Sequence, residues 1–591
     1  MVTRVITRVV TPAVATPVPR QVVLCLGDEP TTLDPLRETG DTAVALRALL
    51  GGVPIARGPD GTLLTTLFER VPTLENGDAR LLGEMGPDAH LEVTFRVRVN
   101  LRWEDGVPLT ARDFRTAWEW AREGWGAEEV QAMAADVTDV RVEDERTFTV
   151  VLRPGLMTPL YATYVFGPYP THLLADGGAT DLRAWARRWP SFGLYRVTSW
   201  EPGKQVRFDA RDDVDSPPLL ETVIVRFLRR PDDALVALLG GTCDVLDPRL
   251  VAVESIPLLR RAADEGLITL EAREGNAWEH LDFNTWPPEE RTPFFADARV
   301  RQAVALALDR AGIAQRVTHG ISQALTSWLP ADHWAYQPLP PLDASAPDLE
   351  RARALLEEAG WVDEDGDGIR EAKGVSGTFW DGTTWEIPDG TPFSVTLVTT
   401  EGDGVRLAVG DAVSDALAAL GIRVTTRTLP PGAFFAAEGP LRRREFDMAL
   451  FAWVMGLDVD GRYLWVGNAI CRRANGTPYA APAGSPCEPG DETLYPAQIP
   501  TAENGWQGGN VSGWANPDAS LAIYRATEHI RPADRAAFYL VHQDMFGRDL
   551  PVLPLFRRPY VVAWRAGLTG VQPGPGTPLT WNIASWAWTA P

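Results

Sequence analysis

Lysine is nearly missing from this chain. Only Lys204 and Lys373 occur in 591 residues, so arginine supplies almost all of the 56 basic side chains. Acids outnumber bases 79 to 56, a formal charge of −23. That balance argues against a nucleic-acid backbone as partner, because such binding rests on clustered basic contacts. It argues equally against a polybasic membrane patch. No run approaches about 18 uninterrupted apolar residues, the length a membrane-spanning helix needs. The seven histidines, His90, His280 and His319 among them, are scattered without metal-ligand spacing. No C-x-x-C occurs, which removes zinc ribbons and thioredoxin-type redox sites. H-E-x-x-H, G-x-S-x-G, the Walker A pattern and a post-strand G-x-G-x-x-G are also missing. Paired carboxylates, as a glycosidase would use, carry no signal in so acidic a chain. None of these patterns points to catalysis.

What is present is an ordinary globular composition, 45% hydrophobic and 23% charged, in a chain too long for one core. The opening MVTRVITRVVTPAVATPVPR has no sustained apolar stretch, and Pro12, Pro17 and Pro19 block regular structure. It reads as an extended tether over 1–20, with any export signal outside this chain; the alternative is a disordered start on a cytoplasmic protein.

Two local features stand out. Cys471 and Cys487 flank a Gly/Pro-rich loop, and a disulfide closing it would contribute roughly 3 kcal/mol in an oxidising compartment. Cys25 and Cys243 lie in two expected strands. They are either neighbours in one sheet or two buried free thiols. The run Asp363-Glu364-Asp365-Gly366-Asp367-Gly368-Ile369-Arg370-Glu371 alternates aspartates before glycine, as a loop wrapping Ca²⁺ does. Gly374 stands where the bidentate glutamate of such a loop would be, and Glu371 offers a substitute. The ion would be structural, and no cofactor is otherwise required; a solvated acidic turn is the alternative.

The stretch around which the chain is organised is DAHLEVTFRVRVNLRWEDGVPLTARDFRTAWEW, residues 88–120. Leu91, Val93, Phe95, Val97 and Val99 alternate with polar residues, which predicts a strand. Gly106 closes a turn, Thr110 is placed to cap a helix, and Asp113 follows three residues on. Phe114, Ala117, Trp118 and Ala121 then recur at helical spacing. This stretch resembles the signature of the family 5 extracellular solute-binding proteins, the dipeptide/oligopeptide-binding receptors of ABC importers. A second stretch is similar to that family's other strong signature: Phe283-Asn284, then Pro293, Phe294, Asp297, Arg299 to Ala303, Asp309, Arg310 and Gly320. Glu29-Pro30, Leu33, Asp34 and Pro35 match its opening loop. Leu194 replaces the proline of the family's Gly-Pro-Tyr element.

The resemblance implies an α/β fold of two lobes, periplasmic-binding-protein-like (type II, large cluster C form), with an extra β-rich subdomain. The expected layout is lobe I over 21–66, 191–275 and 541–591, the β-rich subdomain over 67–190, and lobe II over 276–540. It implies an extracytoplasmic receptor, lipid-anchored through a segment absent from this chain, monomeric, and recognised by ABC permease subunits. An oligopeptide would be captured between the lobes; the alternative ligand is an oligosaccharide stacked on some of the 22 tryptophans, and more remotely the protein is a hydrolase. The expected ligand-binding residues are Glu29, Asn284, Trp453, Asp458, Asp460, Trp506, Asn510 and Trp514. Either aspartate could take a ligand ammonium, although the register around them departs from the family pattern.

Overall fold

The computed structural model describes residues 20–83, 88–174, 185–339, 342, 346–456, 458 and 460–589; the expected tether lies almost wholly outside them. The alternating stretch forms a strand, His90–Arg96, whose Leu91, Val93 and Phe95 side chains are fully buried. Val97 remains buried beyond the strand end, whereas Val99 turns out to solvent. This strand sits in a four-stranded antiparallel sheet ordered Ala79–Leu82, His90–Arg96, Thr147–Leu152, Val137–Val142. The helix Ala111–Arg122 covers it, and its start is fixed as expected: the Asp113 carboxylate accepts from the Thr110 backbone N–H at 2.8 Å. Phe68, Phe95, Phe114 and Phe148 fill the space between, with ring centroids 4.8–5.9 Å apart.

The two lobes share one ten-stranded sheet. Its order is Arg423–Leu429, Ser394–Thr400, Met448–Val454, Ile268–Phe283, Val552–Arg565, Val245–Leu246, Gln21–Leu26, Thr222–Phe227, Gln205–Ala210 and Tyr195–Glu201. The two long central strands run antiparallel through both lobes. Their pairing holds from Ile268↔Arg565 to Glu274↔Pro559, breaks, and resumes at Trp278↔Arg557. Residues 275–277 therefore sit outside the ladder, where bending costs the fewest hydrogen bonds. The hydrophobic cores divide at the same level. One cluster gathers Val22, Leu24, Phe95, Phe114 and Trp564, and another gathers Leu281, Phe283, Val304, Leu397 and Phe556.

The return to lobe I falls later than residue 541. The helix Pro532–Asp549 contributes Tyr539 and Phe546 to the second lobe's core, and the crossing is made inside the strand Val552–Arg565. Both cysteine pairs are bonded: Cys471–Cys487 as expected, with Cα atoms 5.6 Å apart, and Cys25–Cys243, with Cα atoms 6.0 Å apart. The second pair excludes two free thiols, but only Cys25 is in the sheet: Cys243 falls two residues before the strand Val245–Leu246.

Candidate functional site

A cavity of about 650 Å³ lies between the β-rich subdomain and the second lobe. On the subdomain side it is walled by the irregular segment after the strand Thr147–Leu152, from Arg153 to Leu160, together with Asp136 and Tyr164. On the far side, Asp458, Asp460 and Arg462 follow the end of the strand Met448–Val454. Gly461 adopts a φ of 72°, a turn that suits glycine and swings Arg462 into a short helix. Tyr495 comes from the strand Glu492–Tyr495 of a small three-stranded sheet, Tyr524 and Arg535 from the helices Pro517–Ala526 and Pro532–Asp549, and Glu528 from the turn between those helices. Beside the cavity, Ile530 of the second lobe packs against the first lobe's core, so the walls already touch at one edge.

The lining is dense in charge, and most of it is internally matched. Asp136 accepts from Arg153 at 2.5 Å. Asp458 receives Arg535 through two bonds of 2.8 Å, one to each carboxylate oxygen, the planar fork geometry that makes such pairs strong. Asp460 accepts from the backbone N–H of Arg462 at 2.9 Å and from its guanidinium at 3.1 Å. That guanidinium also lies over the Tyr495 ring, 5.3 Å from its centroid. Burial pushes the hydroxyls of Tyr164, Tyr495 and Tyr524 above the usual phenol range, so all three stay neutral hydrogen-bonding groups. Among the described residues no tryptophan lines the cavity. A mixed-charge, tyrosine-bearing cleft of this volume suits a short polar ligand held at several points.

The model of the bacterial extracellular solute-binding proteins, family 5, matches residues 87–469. This chain belongs to that family. A Brucella ovis relative, whose provisional name assigns it to peptide binding for an ABC transporter, is 27% identical over 321 residues. Those residues cover 52% of this solute-binding protein and only 57% of that relative's length. The oligopeptide-binding protein AppA of Bacillus subtilis is 24% identical over 461 residues, 76% of each chain. Among solved structures, an oligopeptide-binding protein of Thermus thermophilus, in complex with a pentapeptide, aligns with a TM-score of 0.65 at 24% identity over 96% of each chain. A periplasmic EDTA-binding protein, EppA, reaches a TM-score of 0.69 at 16% identity over 99% of each chain. At these identities the structural likeness speaks for the two-lobed fold.

In this solute-binding protein the structure brings only two of the eight expected ligand residues to the cavity, Asp458 and Asp460. Glu29 is engaged within lobe I, accepting from Trp200 Nε1 and the Gly203 N–H at 2.6 Å each. Asn284 is buried, its amide donating to the carbonyls of Arg444 and Phe446. Asn510 is buried and donates to the Trp514 carbonyl at 2.7 Å. Trp514 is fully buried, with its indole N–H on Asp549 at 2.8 Å. These three side chains hold the second lobe together, their N–H groups donating inside it. Trp453 is half-buried against Phe451 and Tyr463, and Trp506 is half-buried under the guanidinium of Arg443. Neither lines the cavity. Tyr164, Arg462, Tyr495, Tyr524, Glu528 and Arg535 escaped sequence reasoning, because they come from distant stretches with no shared motif.

In the acidic loop, Asp363, Asp365 and Glu371 each bring one carboxylate oxygen within 4.8 Å of the others. Asp367 departs from the expected set, its carboxylate accepting from the Ile369 N–H at 2.7 Å. Asp363 likewise accepts from Gly366 and Gly368, so the loop is folded by its own backbone donors.

Proposed function

We propose that this protein is the extracytoplasmic receptor of an ABC importer, and that it closes its two lobes over a short oligopeptide. The observation that carries the reading is the cavity itself. Its walls belong to opposite lobes, and those lobes are joined by two strands whose pairing is interrupted at 275–277 and shifts register again between Glu279 and His280. Charges of both signs and three tyrosines on the walls match a ligand with an amine, a carboxylate and amide groups. The names of the Brucella ovis and Bacillus subtilis relatives support the same ligand class. A sugar would favour aromatic platforms, and the tryptophans on which that alternative rested lie elsewhere. The partners of this reading are membrane permease subunits that recognise the closed form, and the protein acts as a lipid-anchored monomer without catalysis.

The test is a thermal-shift screen against di- to hexapeptides and against cello-, xylo- and malto-oligosaccharides. A ligand that binds only the folded state raises the melting temperature once it exceeds its Kd, by about 2.7 kcal/mol of stability at a hundredfold excess. Stabilisation by peptides alone is expected. Stabilisation by sugars alone, or turnover of either substrate, overturns the reading.

The reading also carries a structural calcium on Asp363, Asp365 and Glu371, supported by the approach of their oxygens. Calcium is expected to raise the melting temperature and magnesium to do so less. Identical curves with calcium and with EDTA would leave an acidic turn stabilised by its own backbone.

A further inference from the structure

The two strands that join the lobes depart from regular pairing twice, at 275–277 and between Glu279 and His280. The second departure is pinned. The Glu279 carboxylate is fully buried and accepts from Arg406 Nε at 3.2 Å and from Arg558 Nε. Arg558 also donates to Asp403 at 2.6 Å. Asp403 caps the helix Gly404–Ala418, whose Val405 and Val409 belong to the second lobe's core. Each carboxylate in this group meets a guanidinium, and the group ties this level of the strand pair to the second lobe.

The first departure is held by one side chain. Gly275 has no partner in the ladder, and its carbonyl accepts from Arg557 Nε at 2.6 Å instead. Arg557 itself resumes the ladder opposite Trp278. Its Nη1 stands 3.5 Å from Glu274, the last residue paired on the first lobe's side, and 3.3 Å from Asp332. Asp332 lies between Leu329 and Ala335, both in the second lobe's core. One guanidinium therefore spans the gap, with a carboxylate on each side and a carbonyl between them. The loop that carries Asp332 continues to Trp334, whose ring lies under the Arg535 guanidinium at 5.4 Å, and Arg535 holds Asp458 on the cavity wall.

We propose that Arg557 is a positioning residue of the hinge, setting the inter-lobe angle of the ligand-free protein by tying Glu274, the Gly275 carbonyl and Asp332 together. A carbonyl that has lost its ladder partner finds no replacement donor once the guanidinium is gone. Arg557 does not line the cavity, so it acts on capture through the angle. The proposal goes beyond the peptide reading and holds for a ligand of either class.

The experiment measures the angle without a ligand. All four native cysteines are paired, so spin labels on Val236→Cys and Val541→Cys report only the new thiols. Val236 is exposed on the helix Pro231–Leu239 of the first lobe, and Val541 on the helix Pro532–Asp549 of the second. Double electron–electron resonance on the otherwise wild-type protein is expected to give one narrow inter-lobe distance. Losing a charge-assisted hydrogen bond shifts a two-state population by about tenfold or more, so Arg557→Gln is expected to add a second distance. Asp332→Asn, at an exposed carboxylate, should move the distribution the same way and by less, and it supplies the readout if the Gln variant folds poorly. The double variant should match Arg557→Gln, because Asp332 acts through Arg557. Arg557→Lys should bring back part of the wild-type distribution. An unchanged distance in Arg557→Gln overturns the proposal even if the melting temperature falls, since a merely structural side chain would do that much. A broad distribution in the wild type overturns it too, as does a double variant displaced by the sum of the single effects.

Discussion

His542 is fully buried among the rings of Trp328, Trp465, Trp514 and Phe546. Neither ring nitrogen has a hydrogen-bond partner among the described residues. Burial pushes its pKa down to about 3. The folded form thus refuses a proton that the unfolded chain accepts below about pH 6.5. Stability is unaffected above that value and falls as the pH drops from about 6.5 towards 3, by at most about 1.4 kcal/mol per pH unit. Denaturant melts across this window should reveal the decline, and His542→Phe, similar in shape and without a titrating group, should make it shallower, leaving the part due to His333, whose pKa burial pushes down to about 4. The same cluster explains why tryptophan misleads at this scale. Trp514 reads in the sequence as a candidate ligand contact, yet it is buried beside His542, as is Trp465. A side chain's type is written in the sequence, but whether its face meets solvent depends on neighbours from remote segments. Glu528 illustrates the converse: nothing in Thr527-Glu528-His529 marks it in the sequence as a residue of the cavity wall.

Local elements were far more legible. The strand His90–Arg96 follows from alternation, and the helix start at Thr110 and Asp113 follows from capping chemistry, because both depend on residues close in the chain. The return to lobe I was expected at 541 and occurs within the strand Val552–Arg565, since a strand that passes through two cores carries no mark of where one core ends. The interruption of that strand pair makes a prediction. A Cβ added at Gly275 would come within 2.7 Å of the Arg558 carbonyl oxygen. Gly275→Val should therefore lower stability by roughly 1–3 kcal/mol through the forced shift and change peptide association rates with it, measurable by melting and by stopped-flow fluorescence. The disulfides act on different scales of chain. Cys25–Cys243 spans 218 residues and Cys471–Cys487 spans 16. In the chain-entropy account these loops correspond to about 5 and about 3 kcal/mol. Replacing the first pair by serine should cost more of the first lobe's melting temperature than replacing the second pair costs the other lobe.

For the molecule as a whole, two cores joined by two strands should not melt as one unit. Calorimetry of the ligand-free protein is expected to resolve two transitions. A ligand gripped by both walls of the cavity should raise both and draw them together, whereas one held by a single wall should raise only one. This distinguishes capture between lobes from binding at one surface. The overall architecture was legible because two sequence signatures in the right order imply it. The ligand wall was not, because it is assembled from Arg153, Asp458, Tyr495 and Glu528, which lie far apart along the chain.

The adjacency of the two crossing strands has a consequence for how such a protein can be altered. Trp278 and Arg557 face each other in register, so everything between them leaves the first lobe and comes back at one spot. The second lobe is thus a cassette whose ends lie side by side. Exchanging it for the corresponding piece of another receptor would replace the wall bearing Glu528 in a single graft, leaving the first lobe's fold and its Cys25–Cys243 bond untouched.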